Sequence, residues 1–289
     1  EDYGDLNSSD TFLLLDTDTD NRQPVLTSFI RKAMRARHAS VVSIGHMPEK
    51  LARGEALSLV PRPGTEVHLI RGIMAAILRI KGSPAPEILS DYTPTKVESL
   101  TGVALELIEQ AAGLLASAKT LSSLFGGVFA ANAELSAETL PLLETLKQRR
   151  VLVLHEASNA QGLLSLKATP ANEAQIQELV RSGSIKALVL AGVSAEKSGL
   201  NAADLSGLEL FVSMATSPSE MELEVAEVLL PIAAWTERDG SFASLTGQVH
   251  HQPAGASPYG NSQSLVRVLS NLSRKMNANL PAVAPAILL

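Results

Sequence analysis

The sequence predicts an α/β fold, doubly wound with mainly parallel sheets, divided into two domains. Three observations carry this. Short unbroken apolar runs such as Phe12-Leu13-Leu14-Leu15 and Val151-Leu152-Val153-Leu154 read as strands covered on both faces, as parallel strands are. Amphipathic helical stretches separate these runs, and strand–helix alternation is the pattern of a doubly wound sheet. A chain of 289 residues that is 45% hydrophobic is long enough for two such domains and too apolar for disorder.

In chain order, residues 1–10 are polar and acidic and read as a tail. The Phe12–Leu15 strand ends at Asp16. Pro24 stands where a helix can begin, because the first helical position needs no N–H donor. Val25, Phe29, Ala33 and Met34 recur at helical spacing, with Arg31, Lys32, Arg35 and Arg37 on the solvent side and in the last turn. Val41–Ile44 is a second strand stopped by Gly45, completing a crossover unit. Pro61, Pro63 and Gly64 mark a loop before an amphipathic helix carrying Val67, Ile70, Ile73, Met74, Ile77 and Leu78. Ser83-Pro84-Ala85-Pro86 breaks that helix, and the stretch up to Pro94 is expected to join two domains. The expected division is 11–92 and 93–280, with a Pro/Ala-rich tail at 281–289.

The second part repeats the alternation. A helix over Val103–Ala118 precedes a strand at Leu121–Phe125, closed by Gly126-Gly127. A helix around Thr139–Lys147 precedes the Val151–Leu154 strand. Ile176, Leu179 and Val180 mark a helix before Ala187–Leu190. Leu208–Val212 and Val228–Leu230 are further strands, and a last helix spans Ser264–Met276.

Composition excludes several functions. A net charge of -6 argues against a dedicated nucleic-acid surface, which needs clustered cations. With no cysteine there are no disulfides and no thiolate-bound iron–sulfur clusters in this chain. No uncharged apolar run approaches the ~18 residues of a membrane span. The opening Glu1-Asp2-Tyr3 has no charged-then-apolar leader. The expectation is a soluble chain without direct membrane insertion, docked onto something larger.

Asp16-Thr17-Asp18-Thr19-Asp20 is the most conspicuous cluster, at the carboxyl end of the first strand, where open α/β sheets bind ligands. Its start mimics a calcium loop, but Asn21 replaces the turn glycine and Thr27 the bidentate glutamate. The favoured reading is a turn that starts a helix. Gly126-Gly127 follows a strand without a phosphate-loop pattern and reads as a turn. Neither GxGxxG nor GxxxxGK[ST] occurs after any strand, which makes an unrelated nucleotide-binding module the weakest reading.

The six histidines, His38, His46, His68, His155, His250 and His251, form no metal-ligand spacing. His155-Glu156 near Asn159 could do acid–base work but lacks a hydroxyl nucleophile beside it. His250-His251 reads as a polar loop. We expect no catalytic, cofactor-binding or metal-ligating residue here. In Leu229–Phe242, a strand ending at Pro231 leads through an Asp239-Gly240 turn, an excursion that would pack Trp235 and Phe242 into the core.

The residue order of that excursion resembles molybdopterin oxidoreductases. There a strand ending in VLP precedes AAxxEKDGTFxNxEGR; here Val228-Leu229-Leu230-Pro231 precedes Thr236-Glu237-Arg238-Asp239-Gly240-Ser241-Phe242. Pro24-Val25-Leu26 with Ile30-Arg31-Lys32-Ala33 resembles the NPxxxAPVLxxRIRKA stretch of complex I large subunits. Pro63-Gly64-Thr65-Glu66-Val67 resembles the PGTD before a helix, and Ser158-Asn159-Ala160-Gln161-Gly162 the NxxG loop. Four motifs in register span nearly the whole chain. The Arg31-Lys32 helix and the Thr236–Phe242 stretch point most toward the large iron–sulfur subunit family of bacterial NADH-quinone oxidoreductases.

The resemblance implies two Rossmann-like domains of molybdopterin-oxidoreductase type. It also implies a non-catalytic portion of the complex I peripheral arm, partnered by other arm subunits on the cytoplasmic side of the inner membrane. Iron–sulfur clusters would then lie on a Cys-rich portion outside this chain. Departures from the pattern fit a cofactor-free pocket. Active relatives carry a Gly-x-Asn-Pro turn where Asp16, Asp18 and Asp20 stand, and often an acidic residue where Gly45 and His46 stand. Their NxEGR becomes Ser244-Leu245-Thr246-Gly247-Gln248. The alternative implied is a fragment of a molybdopterin-dependent oxidoreductase such as a formate dehydrogenase.

Overall fold

The structure, a computed structural model, describes residues 3–49, 51, 56–146, 149–155, 157–165 and 173–278. The chain divides into two compact units, residues 1–160 with 245–247, and residues 161–244 with 248–289.

The first unit contains β1 (Thr11–Leu15), α1 (Thr19–Arg22), α2 (Pro24–Arg37), β2 (Ser40–Ile44) and β3 (Ala56–Leu59). There follow α3 (Glu66–Ile80), α4 (Pro94–Thr101), α5 (Leu105–Ser117), β4 (Leu121–Phe125), α6 (Gly127–Ala131), α7 (Ala133–Thr145) and β5 (Arg149–Val153). Its five strands are all parallel, in the order β3-β2-β1-β4-β5. All five β1 residues are buried, because each face of the strand is covered. Phe12 and Leu14 join Val41, Leu26, Ile30 and Met34 on one side. Leu13 and Leu15 meet α3, α5 and α7 on the other, through Ile73, Ile77, Ile108, Ala112 and Leu142. Burying each of these large side chains contributes roughly 1.5–3 kcal/mol against leaving it exposed.

The structure corrects several expectations. The division at residues 92 and 93 falls inside the first unit, because β4 pairs with β1 in one continuous sheet. Residues 1–10 are no free tail: a 3-10 turn at Tyr3–Ser8 buries Leu6, and the Tyr3 ring stacks on Phe29. Helix α2 buries Leu26, Thr27, Ile30, Ala33 and Met34, leaving Val25 62% exposed. Strand β3, which carries no β-branched residue, is an additional edge strand. Strand β5 lies at the other edge, so Val151 and Val153 are exposed instead of doubly covered.

In the second unit the elements are α8 (Ala160–Ser165), α9 (Glu173–Arg181), β6 (Ala187–Ala191), α10 (Ala202–Ser206), β7 (Leu210–Ala215) and α11 (Glu220–Val225). Then come β8 (Val228–Pro231), β9 (Gly240–Ala243), β10 (Val249–Gln252) and α12 (Leu265–Lys275). Strands β6-β7-β8 form a parallel sheet, and β9 and β10 an antiparallel hairpin. Phe211 and Leu190 pack with Val180, Leu200 and Leu205 on one face. Val212 and Met214 meet Leu265, Val268 and Leu272 of α12 on the other. His250 and His251 lie on β10, not in a loop. Trp235 is 63% exposed, so the excursion does not bury it. The tail at 281–289 lies outside the described residues.

Among the described residues no single helix is long and apolar enough to cross a membrane.

Two polar networks fasten the helices. In the first unit, Arg71 donates to both Glu138 oxygens (2.9 and 2.6 Å) and to the Tyr92 hydroxyl at 3.1 Å. This pairing holds the Glu138 carboxyl below its ordinary value of 4.5. In the second unit, the fully buried Glu222 accepts from Ser219 N–H (2.8 Å), Ser213 Oγ (3.2 Å) and Ala195 N–H (3.3 Å).

Removing the Glu222 carboxylate leaves three donors without it, so Glu222→Ala should lower unfolding stability by roughly 2–4 kcal/mol in denaturant titration, and Glu222→Gln by less. A lowered carboxyl stabilises the fold above its unfolded pKa and loses that contribution as pH falls through the folded one. Melting temperature should therefore fall as pH drops below about 4.5 in part through Glu138, and Glu138→Gln should flatten that part of the curve.

Candidate functional site

Strand order reverses between β1 and β4, and the crevice beyond their carboxyl ends is where doubly wound sheets bind ligands. The residues that meet there are Asp16, Gly45, His46, Gly126 and Gly127. Asp16 leaves β1 in the left-handed region at φ 51°. Its side chain is only 6% exposed. One carboxylate oxygen accepts the Val128 N–H at 2.9 Å, and the other hydrogen-bonds His46 Nδ1. A Cβ on Gly127, itself at φ 43°, would lie 1.9 Å from the Asp16 carboxylate. A Cβ on Gly126 would lie 2.7 Å from the Asp16 carbonyl oxygen. Close approach of the Asp16 turn thus accounts for both glycines.

The remaining acids of the cluster are also engaged. Asp18, at φ 42°, accepts from Asn21 Nδ2 at 2.8 Å and sits 3.9 Å from Arg22. Asp20 pairs with Arg31 at 2.7 Å. Between them, the buried Thr17 and Thr19 hydroxyls donate to Glu49, whose carboxylate also takes the Thr19 N–H at 3.0 Å. The alternating Asp and Thr therefore split by side: threonines inward to Glu49, Asp18 and Asp20 toward cations and α1. Among the described residues, no group of three or more His, Asp or Glu could hold a metal ion.

Two cavities flank Asp16. One, about 170 Å³, is lined by Asp16, Asp18, Asn21, His46 and Glu49 among others. The other, about 230 Å³, is lined by Thr17, Arg22, Gln23, Gly126, Gly127 and His155. His155 thus reaches the crevice; Glu156 lies outside the described residues. Asn159 takes φ 60° in the turn before α8. His68 lies elsewhere, hydrogen-bonded to Tyr92 at 2.9 Å. Glu49 is the site residue that the sequence does not announce. Two buried threonines in need of an acceptor are its only signal.

A five-stranded doubly wound sheet with its crevice at the switch point, followed by a second parallel α/β unit, defines a protein of nucleotide-cofactor architecture. The chain belongs to the molybdopterin oxidoreductase family, whose match covers residues 1–275. It is similar to the NADH-quinone oxidoreductase G subunit of Streptomyces coelicolor, with 26% identity over 96% of this chain and 34% of that protein. It is also similar to a nitrate reductase of Synechocystis, with 23% identity over 95% of this chain and 47% of that protein. The chain therefore spans between a third and a half of the length of these relatives. Acetylene hydratase from Pelobacter acetylenicus shares the fold at TM-score 0.70 and 15% identity, over 94% of this chain and 48% of the hydratase. A chain of the formyltransferase/hydrolase complex from Methylorubrum extorquens superposes at TM-score 0.60 and 17% identity, over 94% of this chain and 77% of that one.

Gly127→Ala should cost about 2–4 kcal/mol, from the left-handed backbone and the clash with Asp16 together. Combined with Asp16→Gly, the same change should cost only about 1–2 kcal/mol, a coupling that a double-mutant cycle in denaturant would read.

Proposed function

We propose that this chain is a non-catalytic structural and interaction portion of the peripheral arm of an NADH-quinone oxidoreductase. Electron transfer from NADH to quinone would run through other parts of that complex. The observation that supports this most is the Asp16 carboxylate at the switch point. A pyrophosphate-bearing pterin cofactor would approach the sheet there, seeking backbone N–H groups and positive charge. The Val128 N–H is already taken by Asp16, and Asp18 and Glu49 add negative charge around the adjoining cavity. These residues do not fit such a cofactor, and we derive no chemistry through it.

Similarity to the Streptomyces large iron–sulfur subunit favours complex I among the assemblies open to this family. In this reading the partners are other subunits of the peripheral arm. The chain lies on the cytoplasmic side of the bacterial inner membrane, and the iron–sulfur clusters sit on a Cys-rich portion elsewhere. The absence of cysteine from this chain agrees with that division of labour.

The likeness to nitrate reductase favours a second reading, a portion of a molybdopterin-dependent oxidoreductase, for which formate dehydrogenase is another model. One purification separates the two. The native protein, tagged and isolated mildly, should bring down NADH-oxidising and quinone-reducing subunits and carry no stoichiometric molybdenum or tungsten. Recovery with formate-dehydrogenase-type partners, or with either metal at stoichiometric level, would overturn the complex I reading.

A further inference from the structure

We propose that the outward face of α2 is a docking surface for an acidic polypeptide segment of a partner protein. The chain is acidic overall, yet from Asn21 to Pro48 it has no aspartate or glutamate, while holding Arg22, Arg31, Lys32, Arg35 and Arg37. Helix α2 turns Leu26, Ile30, Ala33 and Met34 into the core, which puts Ser28, Arg31, Lys32, Arg35 and Ala36 together on the opposite stripe. Those five residues line an open concavity of about 480 Å³. The small Ser28 and Ala36 leave room between the longer basic side chains.

The Arg31 guanidinium is held in place at the rim, with Nε donating to the Leu51 carbonyl at 2.6 Å and Nη2 to Asp20 at 2.7 Å. Lys32, Arg35 and Arg37 are exposed and have no ion-pair partner among the described residues. Like charges three and four positions apart on one helix face repel. Arg35 and Arg37, in the last turn, are compensated by the helix dipole; Lys32 lies outside that turn. A row of carboxylates laid along the groove would relieve this repulsion. A nucleic acid fits less well, since no aromatic residue interleaves these cations and the rest of the chain is acidic. Nothing in this face depends on the complex I reading, so an acidic partner from any assembly would satisfy it.

The test is fluorescence anisotropy of the full chain with a labelled oligoglutamate peptide. Binding should weaken as salt rises from about 0.01 to 0.15 M, where the screening length contracts from ~30 to ~8 Å. The charge reversal Lys32→Glu with Arg35→Glu should weaken it about tenfold or more. The charge-matched control Lys119→Glu with Lys197→Glu, at exposed positions away from α2, should change it far less. Should the reversal fail to give native circular dichroism, the neutral pair Lys32→Gln and Arg35→Gln is read in its place. No binding of the peptide, or equal loss in both double variants, overturns the proposal. So does capture of phosphatidylserine vesicles or duplex DNA without the peptide, which would assign the face to a lipid or a nucleic acid.

Discussion

The first unit depends on β1 being buried along its whole length. A central strand of Thr-Phe-Leu-Leu-Leu can satisfy its backbone only by pairing on both edges, with β2 and β4. Its side chains can leave water only if helices cover both faces. From these two demands follow a parallel sheet, α2 on one side, and α3, α5 and α7 on the other. They also place the strand ends together, so that the chain must turn sharply at Asp16, Gly45 and Gly126 within a few ångströms of one another.

That crowding gives the crevice its character. Asp16 and Asp18 both accept left-handed backbone, a conformation that Asp tolerates better than most residues because its short side chain bonds locally. The Asp16 carboxylate then serves the turn from inside, tying β1 to the start of α6 and to His46. A position at which doubly wound architecture receives an external anion is here furnished with an internal one. Glu49 performs the parallel service for Thr17 and Thr19, so the loop between β1 and α2 is anchored at two points.

Much of this is readable from the chain itself, and what is not has definite causes. The runs at Phe12, Val41 and Leu121 announce strands because doubly covered strands need no polar alternation. The 3.6-residue rhythm from Val67 to Leu78 announces α3. Pairing partners are a nonlocal matter. The Pro-rich stretch at 83–86 suggests a junction, yet β4 returns to β1 and makes both halves one sheet. Strand β3, Ala-Leu-Ser-Leu, lacks the β-branched residues that mark strands and is recognisable only through its pairing with β2. The spacing of apolar residues points Val25 inward because one residue of phase error rotates a helix by about 100°. Asp16, Gly126 and Gly127 stand out individually; their mutual dependence, across more than a hundred residues of chain, requires the fold.

The exposed excursion around Trp235 has a spectroscopic consequence. The chain contains one tryptophan, and it belongs to the second unit, largely in water. Its emission in the folded protein therefore already resembles that of a solvated indole, and the first unit contributes no indole signal. A fluorophore in that position reports contact rather than folding: a partner covering the β8–β9 excursion would shift its colour while the buried sheets stayed dark to it.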